Sequence, residues 1–219
     1  KGLRDYLQAK PHIMGYLCNI PDIYWRDVDT NRLGDAAHYV DLELLGMNYK
    51  DIPLDYRKIV DDFTDKPNPL KPDTKIVSIP KEFGSNWWRA DQFYRRAIGL
   101  GEKWKTATAP TNTKEEPSDS LPFNQIAFDF IVNIGIMGHF VGDNGQPFHS
   151  TVNYDGYDNG HGGIHGYYED SLVAALPGDL NIQVIAEGKK LQKNEARHGF
   201  LSEKSVLARM KALALVANA

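Results

Sequence analysis

The chain of 219 residues reads as an all-α fold, and three stretches carry that reading. Glu82 to Lys105 sets Trp87, Trp88, Phe93, Tyr94, Ile98, Leu100 and Trp104 at helical spacing. Phe123 to about Asp143 spaces Ile126, Phe130, Ile134, Met137 and Val141 at close to three and four residues, with apolar residues on its other faces too. Such a helix is expected to be buried on most sides. The tail from Ile182 to Ala219 reads as helix with polar stretches, closing on the amphipathic SVLARMKALALVANA.

The remaining elements follow in order. Gly2 to Cys18 has helical apolar spacing that Pro11 is expected to break or kink, and its His12 has no second ligand beside it. From Ile20, Pro21 and a run of aspartates argue against regular structure until Ala36. One of Asp22, Asp27 or Asp29 is a candidate metal ligand beside His38, with HYVDLE as a short ordered segment leaving that site. Tyr49 to Pro80 is proline-rich covering loop around one short helix, Leu54 to Phe63. Thr106 to Leu121 is polar and turn-rich, a surface loop and flexible link. Gly135, Gly138 and Gly142 in the second half of the central helix each cost about 0.8–1.0 kcal/mol relative to alanine. They ask for a reason, such as close approach of another backbone or room for a metal cluster. Tyr154 to Gly163 is a glycine-rich loop, and Ile164 to about Leu176 resumes helix. His161, flanked by glycine on both sides, reads as structural or solvent-facing first and as a further ligand second, and His198 reads as an exposed helix residue.

Composition limits the function classes. Hydrophobic residues make up 42% and charged residues 25%, which is globular, and the net charge of −4 leaves no electrostatic footprint for duplex nucleic acid. No apolar run approaches bilayer-spanning length. A single cysteine, Cys18, rules out an intrachain disulfide and a thiolate metal site. The chain reads as one domain over residues 1–219, monomeric.

Four of the seven histidines, His139, His149, His161 and His165, fall between Phe123 and Asp170. His139 and Asp143 are four apart, as are His165 and Glu169, so on a helix each pair shares a face and can aim at one point. Imidazole nitrogen and carboxylate oxygen satisfy zinc at about 2.0–2.2 Å. Two such pairs with His149 between them point to a metal centre more readily than to isolated hydrogen bonds.

The phrase HFVGDNGQPFH from His139 to His149, followed by His165 and Glu169, resembles the H-x-x-x-D-x-x-Q-P-x-H core of a zinc-dependent superfamily. That superfamily contains single-strand nucleases and bacterial zinc phospholipases C. Asp22 and His38 resemble its earlier Asp…His pair, so the likeness covers about Ile20–Glu43 and Phe123–Asp170. The resemblance implies a mostly helical single-domain fold of the zinc phospholipase C and single-strand nuclease type, up to three zinc ions, and residence outside the cytoplasm, secreted or periplasmic. One zinc would take Asp22, His38, His139 and Asp143, and a second His149, His165 and Glu169. Asp143 would bridge to a third, which the family completes with an amino-terminal tryptophan and a nearby histidine. This sequence starts KGLRDYLQAK and shows neither, so a native amino-terminal segment is expected to be missing.

The implied reaction is phosphodiester hydrolysis by metal-activated water, with Asp22 orienting or deprotonating that water. A nuclease acting on single-stranded nucleic acid or nucleotides is the first expectation, with Trp87, Trp88, Tyr154 and Tyr157 as candidate stacking surfaces. The glycine- and asparagine-bearing loop of the nucleases is not cleanly reproduced in YDNGHGG, and the closing carboxylate is Glu169, as in the phospholipases, where the nucleases use aspartate. A phospholipase C acting on phospholipid headgroups is therefore the alternative, followed by a non-catalytic zinc protein with a degenerate site.

Overall fold

The computed structural model describes residues 11–25, 34–112, 114–115, 118, 120–193 and 203–218. Most of these are helical. Asp27, Asp29, His198 and the expected helix over residues 2–10 lie outside them.

Helix α1 spans Pro11–Tyr24, so the break expected at Pro11 is a helix start, where the missing N–H costs nothing. Irregular structure from Ile20 does not hold as far as Tyr24, and residues 26–33 of that stretch lie outside the described residues. Pro21 sits inside the last turn with its ring fully buried, its carbonyl accepts from Trp25 N at 3.3 Å, and Asp22 is helical. Helix α2, Tyr56–Phe63, is capped by Asp55, whose carboxylate accepts from Arg57 N and Lys58 N. The proline-rich loop after it contains a small antiparallel hairpin, β1 (Pro67–Asn68) and β2 (Lys71–Lys75). Asn68 makes that turn by accepting from Leu70 N and Lys71 N, which puts the tight turn on an asparagine rather than on the prolines.

The helix expected to start at Glu82 is divided in two. Helix α3, Ile79–Glu82, stops before Gly84, and α4 runs over Asn86–Thr106. Gly84 has φ +88°, and a Cβ there would lie 2.1 Å from Tyr39 O. The chain needs glycine at this point so that the segment after His38 can lie against it, as the Val40–Gly84 bridge shows.

Helix α5 spans Pro122–Gly145 and is the central element, packed against α4, α1 and the carboxy-terminal helix α8, Val206–Ala217. Gly135 and Gly138 have the reason the sequence asked for. A Cβ at Gly135 would meet Leu17 Cβ at 2.4 Å, one at Gly138 would meet Cys18 Sγ at 3.0 Å, and Cys18 Sγ donates to Gly135 O. Gly142 meets nothing. By length and mean hydropathy α5 is long and apolar enough to cross a bilayer, a property it shares with core helices of proteins that span no membrane. Beyond α5, Ile164–Gly166 (α6) widens into a π-helical turn over Tyr167–Leu172, and α7 covers Leu180–Lys193. The described part of the tail read as helix from Ile182 is α7 and α8, the second of which Ser205 starts by accepting from Ala208 N.

Trp87, Phe83, Phe140, Leu42, Ile52 and Ile59 form the fully buried centre, each contributing about 1.5–3 kcal/mol of transfer energy. Trp87 is core and not a stacking platform. Its indole donates to Asn144 Oδ1 at 2.7 Å, and Asn144 Nδ2 donates to Met210 O, tying α4, the end of α5 and α8 together. Trp88 is partly buried and donates to Leu54 O.

Gly84→Ala is expected to destabilise the protein by roughly 1–3 kcal/mol, from a strained φ and a clash with Tyr39 O. Urea unfolding of the variant checks this, and an unchanged midpoint contradicts the role given to Gly84.

Candidate metal centre

Helix α5 presents Phe140 to the core and His139 and Asp143 to a cavity. Phe140 stacks on Phe93 with centroids 5.9 Å apart and meets the His38 and His139 rings at 5.8 and 5.4 Å. The core thus packs directly beneath both imidazoles. His38 comes from the segment clamped by Gly84, and its carbonyl accepts from Asn86 Nδ2 at 3.3 Å and from His149 Nδ1 at 2.7 Å. His149 lies in the 3-10 turn Pro147–Ser150, and its own carbonyl accepts from Val40 N at 3.0 Å.

The first group gathers four side chains. His38 Nδ1 and His139 Nε2 are 3.0 Å apart, and Asp143 Oδ2 lies 3.0 Å from the first and 3.2 Å from the second. Asp22 Oδ1 lies 3.7 and 3.8 Å from the same two nitrogens. Ligands at about 2.0–2.2 Å from a tetrahedral ion stand about 3.3–3.6 Å from one another. The measured edges bracket that value. Asp22, His38 and His139 form a group that can hold a metal ion, and His149, His165 and Glu169 form a second.

In the second group Glu169 Oε1 lies 3.2 Å from His149 Nε2 and 3.1 Å from His165 Nε2. His149 Nδ1 donates to His38 O, so Nε2 faces Glu169 and the cavity, donating to Glu169 when the ring is protonated and offering its lone pair to a metal ion when the ring is neutral. Gln146 donates to Glu169 Oε1 at 2.9 Å and accepts from Phe148 N, holding the carboxylate from the protein side. The two groups are joined through the His38 carbonyl.

The electrostatics of these groups are strongly perturbed. Burial pushes the Asp143 carboxyl up, but hydrogen bonds from His139 and His38 outweigh it and hold it down to about 2. The hydrogen bond from His149 brings Glu169 down to about 2, against burial. For His139 and His149 burial favours the neutral ring, yet Asp143 and Glu169 respectively raise both above the ordinary value.

The groups open on a cavity of ≈ 850 Å³ lined also by Cys18, Tyr39, Asp41, Phe148, Tyr154 and Asp155. Its described lining has six carboxylates and four imidazoles and no lysine or arginine. The seven ligands that the family resemblance implies, Asp22, His38, His139, Asp143, His149, His165 and Glu169, are on this wall. His12 and His161 are exposed, and His161 lines a separate shallow cleft. Tyr154 is on the cavity rim, and Tyr157 is exposed.

Three groups in or behind the cavity wall escaped the sequence reading. Gln146 is one, buried behind Glu169. Asp155 is another. The third is Asp41, whose carboxyl burial, with Glu43, pushes up to about 8. Kept neutral at neutral pH, it is a hydrogen-bond donor on an otherwise anionic wall. The only sequence signal was the carboxylate three residues after His38.

The metal-free protein is expected to be most stable near pH 4.5. Asp143 and Glu169, depressed from 3.8 and 4.5 to about 2, contribute stability that is present above their ordinary values and lost as pH falls. Asp41, raised from 3.8 to about 8, contributes stability that is lost as pH rises toward that value, and the raised histidines act in the same direction. Urea midpoints across pH measure both limbs. Asp41→Asn is expected to flatten the alkaline limb, and an alkaline limb unchanged in that variant contradicts the assignment. No family model, curated protein or solved structure matches this chain.

Proposed function

We propose that the chain is a zinc-dependent phosphodiester hydrolase, the reading supported best by two adjacent imidazole–carboxylate groups at coordination spacing on one cavity wall. The donor set fits zinc, since nitrogen and carboxylate oxygen are its non-thiolate ligands. Zinc held there supplies Lewis acidity and water of lowered pKa, the chemistry a phosphodiester requires.

The charge balance favours more than one cation. With imidazoles neutral and Asp41 protonated, the lining carries five negative charges, which repel a phosphate. Two divalent ions offset four of these and a third reverses the sign, so anion binding is coupled to metal loading. His38, His139, Asp143 and Asp22 surround one position, and His149, His165 and Glu169 the other. Asp22 is the most exposed carboxylate of the first group, at 47%. It is the one with room to orient or deprotonate an attacking water. Asp41 can hydrogen-bond a phosphoryl or leaving-group oxygen.

For the substrate, Tyr39, Phe148 and Tyr154 give flat faces suited to stacking of an unpaired base, which supports the nuclease reading. One observation favours the phospholipase C reading. The described lining has no cationic side chain to follow a polyanionic strand, whereas its carboxylates and aromatic rings suit the quaternary ammonium of a choline headgroup.

His149→Ala and Asp143→Asn are each expected to remove most bound zinc and to lower hydrolysis of a bis-aryl phosphodiester by at least about 100-fold. Metal analysis and initial rates on the purified variants check this, and unchanged activity in both contradicts the site. Parallel assays on single-stranded DNA and phosphatidylcholine separate the substrate readings. Cleavage of neither, by zinc-loaded protein, contradicts the hydrolase reading.

A further inference from the structure

His149 and His165 reach the same carboxylate but are held differently. The ring of His149 is fixed by its Nδ1 bond to His38 O. His165 Nδ1 is buried and has no hydrogen-bond partner. A metal-binding imidazole ordinarily has its second nitrogen tied to a carbonyl or carboxylate, which sets the ring direction. For His165 the direction has to come from its backbone and from packing against Phe148 and Tyr154.

The backbone is held by one side chain. Asp155 Oδ1 accepts from His165 N at 3.1 Å, and Asp155 Oδ2 accepts from Gly163 N at 3.0 Å. The chain between them folds back through Gly156, Gly160 and Gly163, at φ +74°, +73° and +91°. Asp155 therefore closes a loop of left-handed glycines onto the first turn of α6, where His165 is the second residue and Glu169 follows one turn on. The N–H groups of a first helical turn have no intrahelical acceptor, and Asp155 supplies one from ten residues upstream.

We propose that Asp155 is the positioning residue of the second metal group. By clamping the amides of Gly163 and His165, its carboxylate aims the His165 ring, whose Nδ1 has no hydrogen bond to direct it. The inference rests on the reading that His149, His165 and Glu169 bind a metal ion.

The test uses the whole chain, stripped of metal and titrated with Co²⁺, followed by visible absorption and calorimetry, with thermal unfolding recorded alongside. His165→Ala marks which Co²⁺ site is the second. Asp155→Ala is expected to weaken that site by about 10–100-fold, change its absorption, and leave the site of His38, His139 and Asp143 unaltered. Asp155→Asn, which keeps one acceptor oxygen, is expected to restore part of the loss. Wild-type affinity and spectrum at both sites in Asp155→Ala overturn the proposal, and so does equal weakening of both sites with a lowered melting temperature. If Asp155→Ala does not fold, Asp155→Asn decides, with selective weakening of the second site supporting the proposal and unchanged affinity overturning it. A wild-type chain that takes up no Co²⁺ removes the metal reading itself, an outcome distinct from two intact sites in the variant.

Discussion

Asp143 Oδ2, set between His38 Nδ1 and His139 Nε2, is the contact on which the rest of the structure depends. All three side chains are nearly buried, at 13%, 7% and 8% exposure. Burying a carboxylate without partners is costly, and here the two imidazoles offset that cost. The arrangement exists only if residue 38 is brought to α5 from about a hundred residues away. Gly84 admits the Tyr39 carbonyl, Asn86 and His149 hold the His38 carbonyl, and Phe140 packs under both rings. The α4–α5 core and the candidate metal centre are therefore one construction, with the Trp87–Asn144–Met210 bonds anchoring its back.

The parts of this site that lie on one helix were legible in the sequence. His139 with Asp143 and His165 with Glu169 follow from 3.6-residue periodicity alone. The glycines of α5 announced a close approach, although only the structure says that Leu17 and Cys18 make it. The link from Asp22 and His38 to α5 was reached only through a family resemblance, because no local pattern encodes a contact across such a separation.

The misses have specific causes. Pro21 reads as a helix breaker, but in a last turn with its ring buried the lost hydrogen bond is tolerable. The Asn68 turn was hidden among prolines, and Gly84 interrupted an aromatic pattern that otherwise runs unbroken from Glu82. Asp41 and Asp155 were invisible because an aspartate in a loop is usually solvated. What distinguishes them is burial in one case and a pair of backbone amides in the other.

The central claim is that the two groups hold metal ions rather than only one another's protons. Anomalous diffraction at the zinc edge, from crystals of the whole chain grown with zinc, tests it most directly. The account predicts one peak about 2.0–2.2 Å from His38 Nδ1, His139 Nε2 and an Asp143 oxygen, and a second at that distance from His149 Nε2, His165 Nε2 and a Glu169 oxygen. Crystals that show no peak at either position, with the imidazoles and carboxylates still in direct hydrogen-bond contact, would contradict it.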